Sequence, residues 1–236
     1  MTGVSTFCLH REPLPSALEE ISAITDTIEV MDDGPHHVET PEPLESFDVR
    51  FTLHSPSRGV NIASLLEPIR RASVEVTVQA FSIAAEVGGD VVVHPGYFAW
   101  EGERHLALRQ FGKSLTELRD AAKERSINFF IENMGNWEYF FLKSPDEIGM
   151  LGDTGFALDV GHAHQMGCLE DFLNCRISHV HLHDNDGKAD SHLPVGEGTI
   201  DFGPVMQAVR RDRATGIIEV GSFAGVLESM RVLQGL

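Results

Sequence analysis

Short apolar or β-branched runs alternate with longer amphipathic stretches along the whole chain. That rhythm predicts a parallel sheet whose crossovers are helices. Eight runs suit burial on both faces: residues 4–9, 27–31, 49–54, 91–94, 128–132, 156–159, 179–183 and 217–220. The amphipathic stretches predict helices over 16–24, 68–87, 103–125, 145–151, 169–174, 204–211 and 223–233. Ser144-Pro145-Asp146-Glu147 carries a local start signal, in which Ser caps, Pro fits the first turn and Glu completes a capping box. Residues 36–47, rich in Pro and acidic side chains, predict a loop rather than a full helix.

Eight strand units suit closure into a (β/α)8 TIM barrel, a parallel eight-stranded closed sheet spanning residues 1–236 as one domain. An open doubly wound sheet uses the same alternation, but no G-x-G-x-x-G follows the first strand. The placement of polar residues decides between the two. Nearly every later strand ends in an imidazole or a carboxylate, and a closed barrel gathers all strand ends at one mouth.

The third strand ends Leu53-His54-Ser55, the fourth Val93-His94-Pro95, the fifth Ile131-Glu132-Asn133 and the sixth Leu158-Asp159-Val160-Gly161-His162. The seventh reads His179-Val180-His181-Leu182-His183-Asp184, Asp190-Ser191-His192 and Glu197 follow, and the eighth closes Ile218-Glu219-Val220. Neutral imidazole and carboxylate suit zinc, manganese or iron, and the two oxygens of a carboxylate can bridge neighbouring ions. Glu132, Asp159, Asp190 and Glu219 at one mouth would raise one another's pKa unless cations lay among them.

Each residue alone has a plainer reading. A lone histidine is more often hydrogen-bonded in a core than bound to metal, and a strand-end acid often caps a loop or pairs with arginine. Recurrence at equivalent strand ends is what points to a metal centre. Alternation sends His179, His181 and His183 to one side, so they cannot all be rim ligands. His181 is assigned to the rim, His179 to deeper layers and His183 either to substrate or to a loop hydrogen bond; His164 is read as support or exposed, and His10, His36, His37 and His105 as surface residues.

Composition narrows the partners. The chain is 42% apolar, and no apolar stretch approaches the roughly 18 residues of a membrane span. The first ten residues lack a basic region followed by an apolar one, which sets a cytoplasmic expectation. Cys8, Cys168 and Cys175 are odd in number and form no CxxC, as fits packing residues in a reducing compartment. The formal charge of −18 repels polyanions and disfavours DNA, although bound cations can reverse the field locally.

These motifs together resemble the xylose isomerase-like TIM barrels, the superfamily that also contains endonuclease IV. Ile131-Glu132-Asn133, Leu158-Asp159-Val-Gly-His162, His181-Leu-His-Asp184, Asp190-Ser-His192-Leu-Pro-Val-Gly-Glu-Gly198 and Ile218-Glu219-Val carry the likeness, which covers nearly the whole chain. In the sugar isomerases and epimerases of that group, one metal ion sits on a Glu-Asp-His-Glu set. The resemblance places it on Glu132, Asp159, His181 and Glu219, with Glu132 and Glu219 as the catalytic pair moving a proton beside a carbonyl. In endonuclease IV the resemblance implies three ions, with His54 and His94 joining Glu132, and with His162, Asp190 and His192 forming a third group.

The first expectation is therefore an isomerase or epimerase of a sugar or sugar phosphate, using one divalent ion among Zn, Mn, Mg, Co and Fe. The alternative is a phosphoester hydrolase holding up to three ions, and the third reading is a noncatalytic metal-binding barrel. His54, His94, His162, Asp190 and His192 are additional metal or substrate candidates, and His183 and Glu197 are substrate candidates. The barrel's short loops allow a homo-oligomer in which a second subunit completes the site.

Overall fold

Strands apolar on both faces need cover on both sides, and this chain supplies it by closing its sheet and packing helices outside. The computed structural model describes residues 2–236. The strands are β1 Gly3–Ser5, β2 Thr27–Met31, β3 Arg50–His54, β4 Asp90–Val93, β5 Phe129–Glu132, β6 Gly155–Asp159, β7 His179–Leu182 and β8 Thr215–Ile218. All pair in parallel with their sequence neighbours, and β1 pairs with β8, which closes the barrel. Between them lie α1 Leu14–Ser22, α2 Glu42–Glu45, α3 Glu67–Val87, α4 Arg104–Arg125, α5 Val160–Gln165, α6 Leu169–Phe172, α7 Phe202–Asp212 and α8 Phe223–Leu233. One apolar core runs between strands and helices, through Leu18, Ile28, Phe81, Leu118, Val180 and Val226.

Several boundaries differ from expectation, each for a local reason. The first strand stops at Ser5, whose Oγ accepts from Phe7 N at 3.2 Å and turns the chain into a 3-10 stretch, Thr6–Leu9. Residues 36–47 hold no full helix, as expected, but do contain the single turn α2. Pro145–Leu151 is 3-10 rather than α. Helix α5 was not foreseen, because its N-cap is Asp159, read in the sequence as a ligand; its Oδ1 accepts from His162 N at 2.6 Å. His36, expected at the surface, is buried, with Nδ1 3.0 Å from Thr6 Oγ1 and Nε2 3.0 Å from Glu12 O.

The three cysteines are free, and burial pushes the Cys8 thiol up to about 12, as suits a packing residue. No helix among the described residues is long and apolar enough to cross a membrane.

Candidate metal centre

Glu132 ends β5 in the middle of the mouth and is 2% exposed. Its Oε2 lies 3.2 Å from His54 Nε2 and 3.1 Å from His94 Nε2. Its Oε1 lies 3.2 Å from His181 Nδ1 and 3.6 Å from His162 Nδ1. One carboxylate thus faces side chains carried by β3, the β4 end, β7 and α5. Asp159 and His181 sit level across the β6–β7 ladder, which brings Asp159 Oδ2 to 3.8 Å from His181 Nδ1; Glu219 Oε2 reaches the same nitrogen at 3.3 Å.

A further group lies towards the loop after β7. Asp190 Oδ2 is 3.3 Å from both His162 Nε2 and His192 Nε2. His192 adopts φ 43°, a left-handed conformation uncommon for a side-chain-bearing residue and frequent where a site holds its backbone in place. The loop is tied down by Asp184, which accepts from Gly196 N at 3.0 Å and Ile200 N at 3.1 Å. Gly198 packs so closely on Asp184 that a Cβ there would stand 2.6 Å from its Cγ.

The ring orientations are set from behind. His54 Nδ1–H donates to the Ser55 carbonyl (3.1 Å), His162 Nδ1–H to that of Asn133 (2.9 Å) and His192 Nδ1–H to that of Glu219 (2.8 Å). A donor on one nitrogen leaves the other as a lone pair, the arrangement a metal-binding imidazole needs. Asn133 also ties β5 to β6, accepting from Asp159 N at 2.7 Å and donating to Asp159 O at 3.0 Å.

The structure brings Glu132, Asp159, His181, Glu219, His54, His94, His162, Asp190 and His192 together. His183 is fully buried, its Nε2 3.0 Å from Asp159 Oδ1 and its ring stacked on His192 at 4.0 Å, so it buttresses the donors rather than facing the cavity. Glu197 is exposed on a turn and is absent from the cavity wall, so the geometry does not bring it to the site. Asn133 and Asp184, quoted in the sequence motifs without a role, brace the site, and Glu29, not named there, lies 2.8 Å from His181 Nε2. The signal for Glu29 was a lone carboxylate inside the apolar run Thr27-Ile-Glu-Val-Met31.

The donor set fits divalent metal. His54, His94 and Glu132 form one group whose ligand atoms lie within 4.8 Å of one another, and Asp159, His181 and Glu219 form a second. Asp190 and His192 group at that spacing with His183, whose Nε2 is taken up by Asp159, and His162, which also faces Asp190, groups with Glu132 and Asp159. Electrostatics agree. Burial pushes the Glu132 carboxyl up, but the His181 and His94 charges outweigh it and hold the group well below the usual range. Burial likewise opposes charge on His54 and His192, yet Glu132 on one and Asp190 on the other push each ring up to about 9.

Protons and divalent ions therefore compete for the same nitrogens. Zinc affinity is expected to rise as pH increases from about 6.5 to 9 and to flatten above, with protons released on binding. For chelator-treated protein the sign reverses. A raised histidine pKa contributes stability that is full below the unfolded value, about 6.5, and is lost as pH climbs through about 9. Chelator competition and melting curves across this window check both; a pH-independent affinity would count against these rings as ligands.

Above the donors opens a cavity of about 370 Å³, walled by Phe7, Met31, Met134 and Phe140, with Trp137 at the rim, 65% exposed. Arg58 is the one arginine or lysine on its wall among the described residues. Fold and site together define a TIM barrel with a carboxylate–imidazole centre at the carboxyl ends of its strands. Residues 28–236 match the xylose isomerase-like TIM barrel model, and the chain belongs to that family.

Among relatives, it is 32% identical over 228 residues to an uncharacterized protein of Methanocaldococcus jannaschii, covering 92% of this chain and 91% of that one. It is 26% identical over 235 residues to a probable endonuclease 4 of Mycobacterium marinum, covering 89% of each. Among solved structures, a D-tagatose 3-epimerase-like protein superposes with a TM-score of 0.91 at 28% identity, covering 99% of this chain and 96% of that one.

Proposed function

We propose that this protein is a metal-dependent phosphoester hydrolase whose polynuclear centre is organised by Glu132. The observation that carries this reading is the division of Glu132's two oxygens, Oε2 towards His54 and His94, Oε1 towards His181. A one-ion isomerase needs Glu132, Asp159, His181 and Glu219, and leaves unexplained why five further donors converge on the same space. The 26% likeness to an endonuclease supports the same reading.

His54, His94 and Glu132 would hold one divalent ion, Asp159, His181 and Glu219 a second beside the shared Glu132, and His162, Asp190 and His192 a third. Zinc or manganese ions so held supply a Lewis acid and an activated water for phosphoester cleavage. The protein's own part is to orient the donors through the Ser55, Asn133 and Glu219 carbonyls, to exclude water with the apolar wall, and to meet substrate charge with Arg58. With a net charge of −18 and one arginine or lysine on the cavity wall among the described residues, a small phosphoester suits the site better than duplex DNA.

Metal content per chain should be measured on protein purified without chelator, beside assays on bis-p-nitrophenyl phosphate, p-nitrophenyl phosphate and an abasic duplex. More than one ion per chain and hydrolysis of a small ester, abolished in His54→Ala and in His192→Ala, is the expected result. A single ion with no esterase activity would reject it. The second reading, a sugar isomerase or epimerase with Glu132 and Glu219 exchanging the proton, draws on the 28% likeness to an epimerase-like protein. Deuterium uptake from solvent into a keto-sugar would favour that reading. Metal binding without either activity would leave the noncatalytic barrel.

A further inference from the structure

His181 differs from the other oriented imidazoles. His54, His162 and His192 each donate Nδ1–H to a backbone carbonyl. His181 is turned the other way, with Nδ1 towards Glu132, Glu219 and Asp159. Its Nε2 points into the barrel, where Glu29 Oε1 stands 2.8 Å away. The contact is short but poorly aligned, so neither His181 Nε2 nor Glu29 Oε1 makes a well-formed hydrogen bond, although both residues are fully buried. Glu29 is itself held in place: Thr52 Oγ1 donates to its Oε2 at 3.1 Å, and His179 Nε2 lies 2.8 Å from the same oxygen.

From this geometry we infer that Glu29 is a positioning residue, fixing His181 as the Nε2–H tautomer so that its Nδ1 lone pair is presented to metal. Carboxylates face both nitrogens, with Glu132 Oε1 3.2 Å from Nδ1. A cation held among Glu132, Asp159 and Glu219 would displace the proton from Nδ1, and Glu29, which can only accept, would keep the one on Nε2. Backbone carbonyls perform that task for three other rings of the centre. His181 Nε2 bonds to no carbonyl among the described residues, and a side chain from β2 faces it instead. Glu29, His179 and His181 also lie within the spacing of an ion site. However, the two N–O separations of 2.8 Å are hydrogen-bond distances, whereas ligand pairs on tetrahedral zinc stand about 3.3 Å apart.

The inference rests on His181 being a metal ligand, and the experiment separates the two claims. Zinc affinity is measured by chelator competition on the full chain and on Glu29→Gln, Thr52→Val and His181→Ala, with the His181 tautomer read from ¹⁵N-histidine NMR of zinc-loaded protein. Glutamine can turn its amide towards Nε2 and favour the Nδ1–H tautomer, which blocks the ligating nitrogen. Glu29→Gln is expected to weaken zinc binding about 10- to 100-fold, the usual cost of losing a group that supports a ligand. Thr52→Val should stay within about threefold of wild type, because Glu29 keeps its charge and its contact with His181.

A folded Glu29→Gln protein with wild-type zinc affinity overturns the inference. If instead His181→Ala binds zinc as tightly as wild type, the assignment of His181 as a ligand is what fails. Should Glu29→Gln not fold, the Nε2–H proton of His181 in zinc-loaded wild type decides: a downfield resonance that reports a hydrogen bond to a carboxylate supports the role of Glu29, and an Nε2–H without one excludes it.

Discussion

Glu132→Gln is expected to lower divalent-metal affinity by more than about 100-fold and to abolish turnover, while the barrel stays folded. Losing a group that merely supports a ligand costs about 10- to 100-fold. Glu132 faces three imidazole nitrogens within 3.2 Å, so its loss should exceed that range. Glutamine preserves the shape, which keeps packing out of the comparison. It removes the charge that offsets His54, His94 and His181, and it replaces an acceptor oxygen with a donor that no metal will accept. Metal content after dialysis, with circular dichroism to confirm folding, gives the result directly. Retention of the full metal complement would remove Glu132 from the centre and take the hydrolase proposal with it.

His54→Ala gives the finer distinction. On the polynuclear reading it empties the group on Glu132 Oε2 and leaves the group around His181 intact, so metal per chain falls without vanishing. On the one-ion isomerase reading it changes neither metal nor turnover greatly. The same variant thus bears on how many ions the site holds.

Much of this architecture was legible in the sequence, and the reason lies in where the barrel keeps its polar groups. Apolar runs buried on both faces stand out from the amphipathic helices, and β2 to β8 follow the runs within a few residues. His54, Glu132, Asp159 and His181 are each the first or a principal polar interruption near a strand's end, where period and position agree. Glu29 breaks that pattern: it lies in the middle of β2, and nothing local tells whether a mid-strand acid is paired inside or marks an exposed face. Its partners, His179 and His181, are some 150 positions away and meet it only across the closed barrel.

Helix α5 was hidden for a related reason. Val160-Gly-His-Ala-His-Gln165 is too short for a hydrophobic period, and its start signal is the ligand Asp159 doing a second task as N-cap. His183 occupies a period-two position shared with His181, yet the side chain is packed under α5 rather than open to substrate. Alternation identifies the side of a strand and cannot say what covers it.

Gly161→Ala tests that packing with opposed expectations. Helix propensity alone predicts a gain of about 0.5–1 kcal/mol, since Gly161 lies inside α5. Packing predicts the reverse, because a Cβ at 161 would stand 2.6 Å from His183 Nδ1 and 2.7 Å from its Nε2. The ring has little room to yield: Nε2 lies 3.0 and 3.1 Å from the Asp159 oxygens, and His192 stacks on its face at 4.0 Å. The backbone is held as well, with Asn185 Nδ2 donating to Gly161 O at 3.0 Å. Overpacking of this kind costs about 3 kcal/mol, which exceeds the propensity gain several-fold. For a chain of this length that is a fall in Tm of roughly 6–12 °C. Displacing His183 also shifts Asp159 and His192, so metal should be lost from the groups they serve. Adding His183→Ala to Gly161→Ala should restore most of the lost Tm, because the clash and its relief belong to one pair of side chains. A single variant melting at or above the wild-type temperature would mean that His183 moves freely, and its role as a buttress for Asp159 and His192 would have to be abandoned.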